Sequence, residues 1–136
     1  MFIYQHTGIR VRYADTDQMG YVYYGNYARF YEIARVEALR SMGLTYKEVE
    51  DSGTIMPVFD NYSRYWQPAR YDDLLTVKVI VRELPLVRVI FEYEITNQDG
   101  VLVNTGKTTL VFLNTQSQRP VRAPKIFVEK LRLFFE

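Results

Sequence analysis

The sequence predicts an α+β fold in which an antiparallel sheet of five strands wraps around one long helix. Across residues 26–43, apolar side chains recur at spacings of three and four, which is the periodicity of a helix with a buried face. From residue 55 onward the period changes to two, which is the periodicity of β-strands. The long helix carries too few charges to fill a polar face. It therefore needs a large partner surface, and a twisted sheet is the only one that the rest of the chain can form.

The other elements follow in a simple order along the chain. A strand precedes the long helix, and a short helix over residues 45–51 follows it. A C-terminal helix can start at Pro124, and its residues Phe127, Leu131 and Phe134 then line one side. The predicted strands cover residues 8–13, 55–66, 75–82, 87–95 and 101–113. All 136 residues fit a single domain.

Composition and charge exclude several classes of protein. A formal net charge of +1 argues against a nucleic-acid partner, which would need a concentrated basic face. No apolar run approaches the roughly 20 residues that cross a bilayer, and Met1–His6 lack the basic region and apolar core of a signal peptide. The absence of cysteine excludes disulfides, zinc-thiolate sites and a cysteine nucleophile. We therefore expect a cytoplasmic enzyme without a membrane or nucleic-acid partner.

The segment 15–27 has the most chemically informative pattern. It places two carboxylates, Asp15 and Asp17, in a turn that ends at Gly20, a few residues before the long helix begins. The first N–H groups of a helix have no partner within the helix and can stabilise a developing oxyanion, while a facing carboxylate can act as a base or nucleophile. This segment is therefore a candidate catalytic site. The alternative is that both aspartates only cap the turn or the helix, where aspartate is common.

Segments along nearly the whole chain resemble those of one enzyme family, the hotdog-fold acyl-CoA thioesterases of the 4-hydroxybenzoyl-CoA thioesterase type. The segments similar to its loop and central helix are Arg12–Asp17, Gly20, Asn26-Tyr27 and Phe30–Arg35. The segment Gln67–Asp73 is similar to its strand-entry motif, and Arg119–Pro124 is similar to the stretch before its last helix. The resemblance implies a hotdog fold and hydrolysis of an acyl-CoA thioester to a free acid and CoA, without a metal or other cofactor. It also implies a homodimer, or a homotetramer made of two dimers, with active sites at the subunit interface.

Residue roles transfer from this resemblance. The catalytic carboxylate of the family is the second aspartate of the loop, which is Asp17 in this chain. It could attack the thioester carbonyl directly or act as a base on a water molecule, and the sequence leaves both routes open. The oxyanion donor implied by the resemblance is the backbone N–H of Tyr24 or Gly25. Tyr21, Tyr23 and Tyr24 are candidates to line the acyl pocket, although these rings could equally pack at a subunit interface.

The phosphate groups of CoA require cationic contacts, and the sequence offers several basic side chains. The first candidates are Arg88, Arg119, Arg122 and Lys125, with Arg64 and Arg70 as further possibilities. Each of them is alternatively an ordinary solvated surface charge.

Other functions remain open at this point. The same fold could serve an acyl-carrier-protein thioesterase, or a module that binds acyl groups without catalysis. An intact Asp17 argues against the second, because a binding protein needs no charged group beside the thioester. The single histidine, His6, disfavours a Ser-His-Asp hydrolase and the hotdog dehydratases, which need a catalytic histidine. A divalent-metal site at Asp15 and Asp17 would lack a third ligand cluster.

Overall fold

The computed structural model describes residues 1–135 and has the predicted order of elements. The helices are α1 (Asn26–Ser41), α2 (Tyr46–Asp51) and α3 (Lys125–Arg132). The strands are β1 (Phe2–Arg10), β2 (Thr54–Ile55), β3 (Val58–Tyr65), β4 (Leu74–Val81), β5 (Arg88–Thr96), β6 (Leu102–Val111) and β7 (Leu113–Asn114). One strand, a long helix and then a series of antiparallel strands follow one another, so the predicted α+β class is confirmed.

Five strands form one antiparallel sheet in the order β1-β4-β5-β6-β3. The strands β1 and β3 are therefore its two edges, and the short strands β2 and β7 pair separately. The helix α1 packs against β1 and β4 on the inner face of this sheet. Its residues Phe30, Ala34 and Leu39 are fully buried, as are Val79 and Phe91 of the sheet. The long helix and the sheet thus share one hydrophobic core, as predicted.

The first strand differs from its prediction at both ends. It begins at Phe2 and ends at Arg10, and residues 13–15 form a 3-10 turn instead of a strand. The reason lies at Gly8, which has a φ of +106° and accompanies a register shift between its two neighbours. This bulge adds one residue, so Phe2 and Ile9 are both buried although their positions have opposite parity. The period of two is broken there, which conceals the first half of the strand in the sequence.

Two of the predicted strands each divide into two. The segment 55–66 becomes β2 and β3, separated at Pro57, which has no N–H to donate to a sheet. The segment 101–113 becomes β6 and β7, which pair with different strands. The helix α3 ends before Phe134, which instead packs edge-on against Phe2 with the ring centroids 4.9 Å apart.

A buried polar contact fixes α1 on the sheet. The ring of Tyr31 stacks on that of Tyr93, with centroids 4.1 Å apart and planes 2° from parallel. The Tyr31 hydroxyl is hydrogen-bonded to Ser63 at 2.8 Å and donates to the side-chain oxygen of Asn104. Gly106 makes room for this ring, because an added Cβ would lie 2.7 Å from Cε2 of Tyr31. These contacts join the first half of α1 to β6 and to the edge strand β3.

Candidate active site

The loop between β1 and α1 brings Asp17 close to the end of β3. The N–H of Asp17 donates to the carbonyl of Tyr21 at 2.9 Å, and the N–H of Gly20 donates to the carbonyl of Asp17 at 2.9 Å. Gly20 has a φ of +79°, a conformation that glycine adopts at little cost. The N–H of Val22 donates to the carbonyl of Ala69 at 2.8 Å, which ties the loop to the segment after β3. The position of Asp17 is therefore set by backbone hydrogen bonds on both sides.

The carboxylate of Asp17 has one oxygen held and one oxygen available. Its Oδ1 accepts a hydrogen bond from the N–H of Met19 at 3.0 Å. Its Oδ2 accepts no hydrogen bond, and neither oxygen forms an ion pair, among the residues described by the structure. The side chain is half-buried and borders a cavity of about 310 Å³. A carboxylate in this position is oriented but still free to react.

The cavity beside Asp17 has predominantly aromatic walls. Its other lining residues are Met19, Tyr21, Val22, Tyr24, Tyr27, Tyr65, Trp66, Gln67 and Pro68. The Tyr27 and Tyr65 rings meet edge to face, with centroids 5.5 Å apart. Burial raises the pKa of Tyr27 to about 12, so its phenol stays neutral at physiological pH. Such walls suit an apolar or aromatic group adjoining a single carboxylate.

The start of α1 supplies unused hydrogen-bond donors to the same region. Gly25 is the N-cap residue, and no side chain caps the helix there. Within the described part of the chain, the N–H groups of Tyr24 and Gly25 donate to no acceptor. Tyr24 borders the cavity of Asp17, whereas Gly25 does not line it, so the structure brings Tyr24 alone of the two predicted donor residues to the wall of that cavity. The absence of a side chain at Gly25 also leaves room for the ring of Tyr23, since a Cβ added at Gly25 would lie 2.8 Å from Cε2 of Tyr23.

The second carboxylate of the loop, Asp15, has a different environment. Its side chain is buried and accepts hydrogen bonds from the N–H of Arg12 at 2.9 Å and from the guanidinium of Arg29. Its backbone carbonyl accepts a hydrogen bond from the Asn26 side chain at 2.8 Å. Asp15 does not line the cavity of Asp17. Its contacts are those of a residue that attaches the loop to the first turns of α1.

The three tyrosines predicted to line the acyl pocket separate in the structure. Tyr21 and Tyr24 line the cavity of Asp17, whereas Tyr23 does not. The ring of Tyr23 packs on that of Tyr24, with centroids 4.7 Å apart, and about half of it is exposed. A hydrogen bond with Tyr24 raises the pKa of Tyr23.

The arginines first considered for CoA binding lie at the opposite end of the sheet. Arg88 pairs with Val111 of β6. The residue before it, Leu110, pairs with Val58, which is the first residue of β3. Arg119 and Arg122 lie in the loop whose Pro120 bridges to β7, beside the same end of the sheet. The cavity of Asp17 instead adjoins Tyr65, the last residue of β3. Seven residues of strand separate Val58 from Tyr65, which corresponds to about 23 Å. A single chain therefore does not bring these arginines to Asp17.

Several residues of the cavity were not predicted as site residues. Tyr27 and Pro68 lie in segments that resemble the family, but neither was given a site role, and Trp66 was only the predicted end of a strand. A further signal was the Tyr65-Trp66 pair of rings just before Pro68, where β3 leaves the sheet. Sequence periodicity could not place that strand end opposite the loop of Asp17.

Comparisons with known proteins identify the family. The Thioesterase-like superfamily matches residues 11–131. The acyl-CoA thioester hydrolase YbgC of Escherichia coli O6:H1 is 29% identical over 124 residues, which cover 91% of this chain and 92% of that protein. The 1,4-dihydroxy-2-naphthoyl-CoA hydrolase of Thermosynechococcus vestitus is 30% identical over 122 residues, which cover 89% and 82%. The crystal structure of a DHNA-CoA thioesterase from Staphylococcus aureus is similar with a TM-score of 0.84 and 32% identity, over 97% of this chain and 87% of that one.

The chain therefore belongs to the Thioesterase-like superfamily and has its hotdog fold. The predicted family and fold are confirmed, and so is the prediction that the chain is an enzyme that hydrolyses thioesters. Between residues 1 and 135, no helix is long and apolar enough to span a membrane. In the same part of the chain, no group of three or more histidine or acidic side chains is placed to hold a metal ion.

Proposed function

We propose that this protein hydrolyses acyl-CoA thioesters to a free carboxylic acid and CoA, with Asp17 as its catalytic carboxylate. One observation carries the proposal. Asp17, whose Oδ2 accepts no hydrogen bond, and Tyr24, whose N–H has no acceptor, border one cavity with aromatic walls, and Gly25 follows Tyr24 at the uncapped start of α1. A thioester carbonyl in that cavity would have a nucleophile or base on one side and an oxyanion donor on the other.

Two routes of hydrolysis fit this arrangement. In the first, the carboxylate of Asp17 attacks the carbonyl carbon, CoA leaves as a thiolate, and water hydrolyses the resulting mixed anhydride to release the acid. In the second, the carboxylate removes a proton from a water molecule that attacks the carbonyl, and the departing thiolate takes up that proton. In both routes the carbonyl oxygen gains negative charge, which the N–H of Tyr24 or Gly25 stabilises.

The proposed activity is tested with a panel of short-chain, long-chain and aryl CoA thioesters, by measuring thiol release. We expect turnover of at least one thioester by the wild type. Tyr24→Phe should change kcat by less than about 3-fold, because the proposed donor is a backbone N–H that the substitution preserves. A loss of about 100-fold in this variant would show that the phenol is the catalytic group, since that is the size of a general acid–base contribution. Absence of turnover across the whole panel would contradict the proposed function.

We further propose that the protein acts as a homodimer, alone or paired again as a tetramer, joined through the edge strand β3. Every residue of β3 except Ser63 is exposed, and the exposed apolar or aromatic ones include Val58, Phe59, Tyr62 and Tyr65. Exposure of this many apolar and aromatic side chains to water is unfavourable, and the unpaired backbone groups of an edge strand can pair with another strand. A second copy, related by a two-fold axis, would extend the sheet across both subunits.

The same dimer would complete the active site. Two antiparallel copies of β3 place the start of the partner's strand beside the end of this chain's strand, where Asp17 lies. The partner subunit's Arg88, Arg119 and Arg122 would then adjoin the cavity of Asp17, which the same three arginines of its own chain cannot reach. A shared site of this kind explains why the charges needed for CoA phosphates and the carboxylate stand at opposite ends of one chain.

Light scattering at micromolar concentration tests the dimer, and we expect at least twice the mass of one chain. Phe59→Lys on β3 should give monomers, because it places a charge at the proposed contact. Leu133→Lys is the matched control, since Leu133 is also a highly exposed apolar residue but lies outside β3. A monomeric wild type, or equal effects of both substitutions, would contradict the proposed interface.

Mixed dimers test the shared site. Subunits with Asp17→Asn are combined with subunits that carry both Arg119→Gln and Arg122→Gln. If the arginines act on the partner's site, the mixed dimer contains one site with both an intact carboxylate and intact arginines, and wild-type KM returns at about half the wild-type rate. If they act within their own chain, no intact site forms and KM stays high.

A further inference from the structure

Two arginines lie against aromatic rings that line the cavity beside Asp17. The guanidinium carbon of Arg70 is 4.9 Å from the centre of the Tyr21 ring. The guanidinium carbon of Arg64 is 4.3 Å from the centre of the Trp66 ring. Both rings line the cavity although the arginines themselves do not, so each positive charge lies one ring away from the cavity. Unlike Arg119 and its neighbours, these cations adjoin the cavity wall within the same chain.

The environments of the two arginines leave their charges available. Neither has a carboxylate within 4.0 Å among residues 1–135, whereas Arg29 and Arg82 are both in ion pairs. Both arginines are exposed. A guanidinium that stacks flat on a ring keeps its N–H donors at the edge, where they can bind an oxyanion in a bidentate manner.

Neighbouring contacts hold both stacks in place. The N–H of Arg70 donates to the carboxylate of Asp73 at 2.9 Å, and its backbone bridges to Tyr21. On the other side, the indole N–H of Trp66 donates to the hydroxyl of Thr105 at 3.0 Å. Arg64 is the strand neighbour of Ser63, whose hydroxyl faces α1, so Arg64 projects from the opposite face of the sheet. Each guanidinium is therefore held beside one ring of the cavity wall.

We propose that Arg64 and Arg70 bind the 4′-phosphate of the phosphopantetheine arm of the substrate. This inference rests on the proposed thioesterase function. The thioester carbonyl must lie at Asp17, inside a cavity of about 310 Å³ with mostly apolar walls. The phosphorylated end of the arm cannot fit there and must leave the cavity, and the unpaired cations lie beside its wall. A phosphate is the first anionic group along that arm, and it is common to CoA and to acyl carrier proteins.

The test compares three thioesters of the same acyl group: acyl-CoA, acyl-4′-phosphopantetheine and acyl-pantetheine. The Arg64→Gln/Arg70→Gln variant should raise KM at least about 10-fold for the two phosphorylated substrates and leave kcat nearly unchanged, because a lost hydrogen bond to a charged group has that effect on uniform binding. KM for acyl-pantetheine, which has no phosphate, should not change. An equal rise for acyl-pantetheine, or no rise for acyl-4′-phosphopantetheine, would overturn the proposal.

A matched control removes two positive charges elsewhere. The Arg40→Gln/Lys47→Gln variant loses charges that form surface ion pairs near the far end of α1, about 20 Å from its start. It should leave all three KM values unchanged. A rise in this variant as large as that in the Arg64→Gln/Arg70→Gln variant would show that only net charge matters, and would overturn the specific site.

Two further measurements separate this inference from the proposed function and identify the source of the phosphate. Calorimetric binding of 4′-phosphopantetheine and of pantetheine needs no turnover. Binding that depends on both arginines, in a protein inactive on every thioester, would preserve the phosphate site and refute the thioesterase. For an active protein, a higher kcat/KM for an acyl carrier protein thioester than for acyl-CoA, lost in the same variant, would assign the phosphate to the carrier protein. The reverse order would assign it to CoA.

Discussion

Replacing Asp15 with asparagine should destabilise the fold while leaving catalysis almost intact. The side chain of Asp15 is only 9% exposed and accepts hydrogen bonds from the backbone of Arg12 and from Arg29. Hydrogen bonds to a charged group contribute about 1.5–3 kcal/mol each. The side chain of Arg29 is 50% exposed, so solvent screening reduces its share to about 0–1 kcal/mol. Asparagine preserves one acceptor oxygen, so we expect a total loss of about 1–3 kcal/mol.

The assay combines urea unfolding with thiol release from the best acyl-CoA substrate. Asp15→Asn should lower the urea midpoint and change kcat by less than about 5-fold, since it removes no group that contacts the reacting atoms. Asp99→Asn is the control, because Asp99 lies in an exposed hairpin and its side chain makes no hydrogen bond among the described residues. A folded, stable Asp15→Asn protein with kcat reduced about 100-fold would refute this reasoning and transfer the catalytic role to Asp15.

Three other predictions concern the core, the pH dependence and the partner's arginines. Gly106→Ala should lower the free energy of unfolding by about 1–3 kcal/mol, because the new Cβ overlaps the ring of Tyr31, and urea unfolding that matches the wild type would contradict the packing described. The pKa of Tyr27 is raised from 10.0 to about 12, so its contribution to stability is complete below pH 10 and is lost as the pH rises toward 12. Tyr27→Phe should therefore lose less stability between pH 9 and pH 11 than the wild type does, and equal losses would refute this. Neutralising Arg119 and Arg122 together should raise KM for acyl-CoA more than it lowers kcat, and should matter less for acyl-pantetheine; equal effects on both substrates would make these arginines structural.

The sequence predicted the architecture because most of its elements have an uninterrupted period. The long helix keeps apolar spacings of three and four, the strand at residues 87–95 alternates with a period of two, and the structure has both elements. The first strand was misplaced because the bulge at Gly8 shifts the inward face by one residue, and no periodic pattern can cross such a shift. The strand at 55–66 was too long because a run of strand-forming residues does not reveal that Pro57 lacks the N–H needed for pairing.

The candidate site could be predicted only where neighbours in sequence are also neighbours in space. Asp17, Tyr21 and Tyr24 lie within one loop, and the cavity includes all three. Tyr65 and Trp66 joined the site because β3 ends opposite that loop, which depends on the order of strands in the sheet. The shared dimer site that we propose depends on a second copy of the chain, so its residues leave no joint pattern in the sequence of one.

The most direct test of the account is the turnover of Asp17→Asn compared with the wild type, in a protein shown to be folded by urea unfolding. We predict that kcat falls at least about 100-fold, which is the contribution of a positioned base or nucleophile. The urea midpoint should stay close to that of the wild type, because among residues 1–135 only the N–H of Met19 donates a hydrogen bond to the carboxylate, and asparagine can still accept it. A folded Asp17→Asn protein that releases thiol at a near-normal rate would contradict the proposal that this carboxylate performs the hydrolysis.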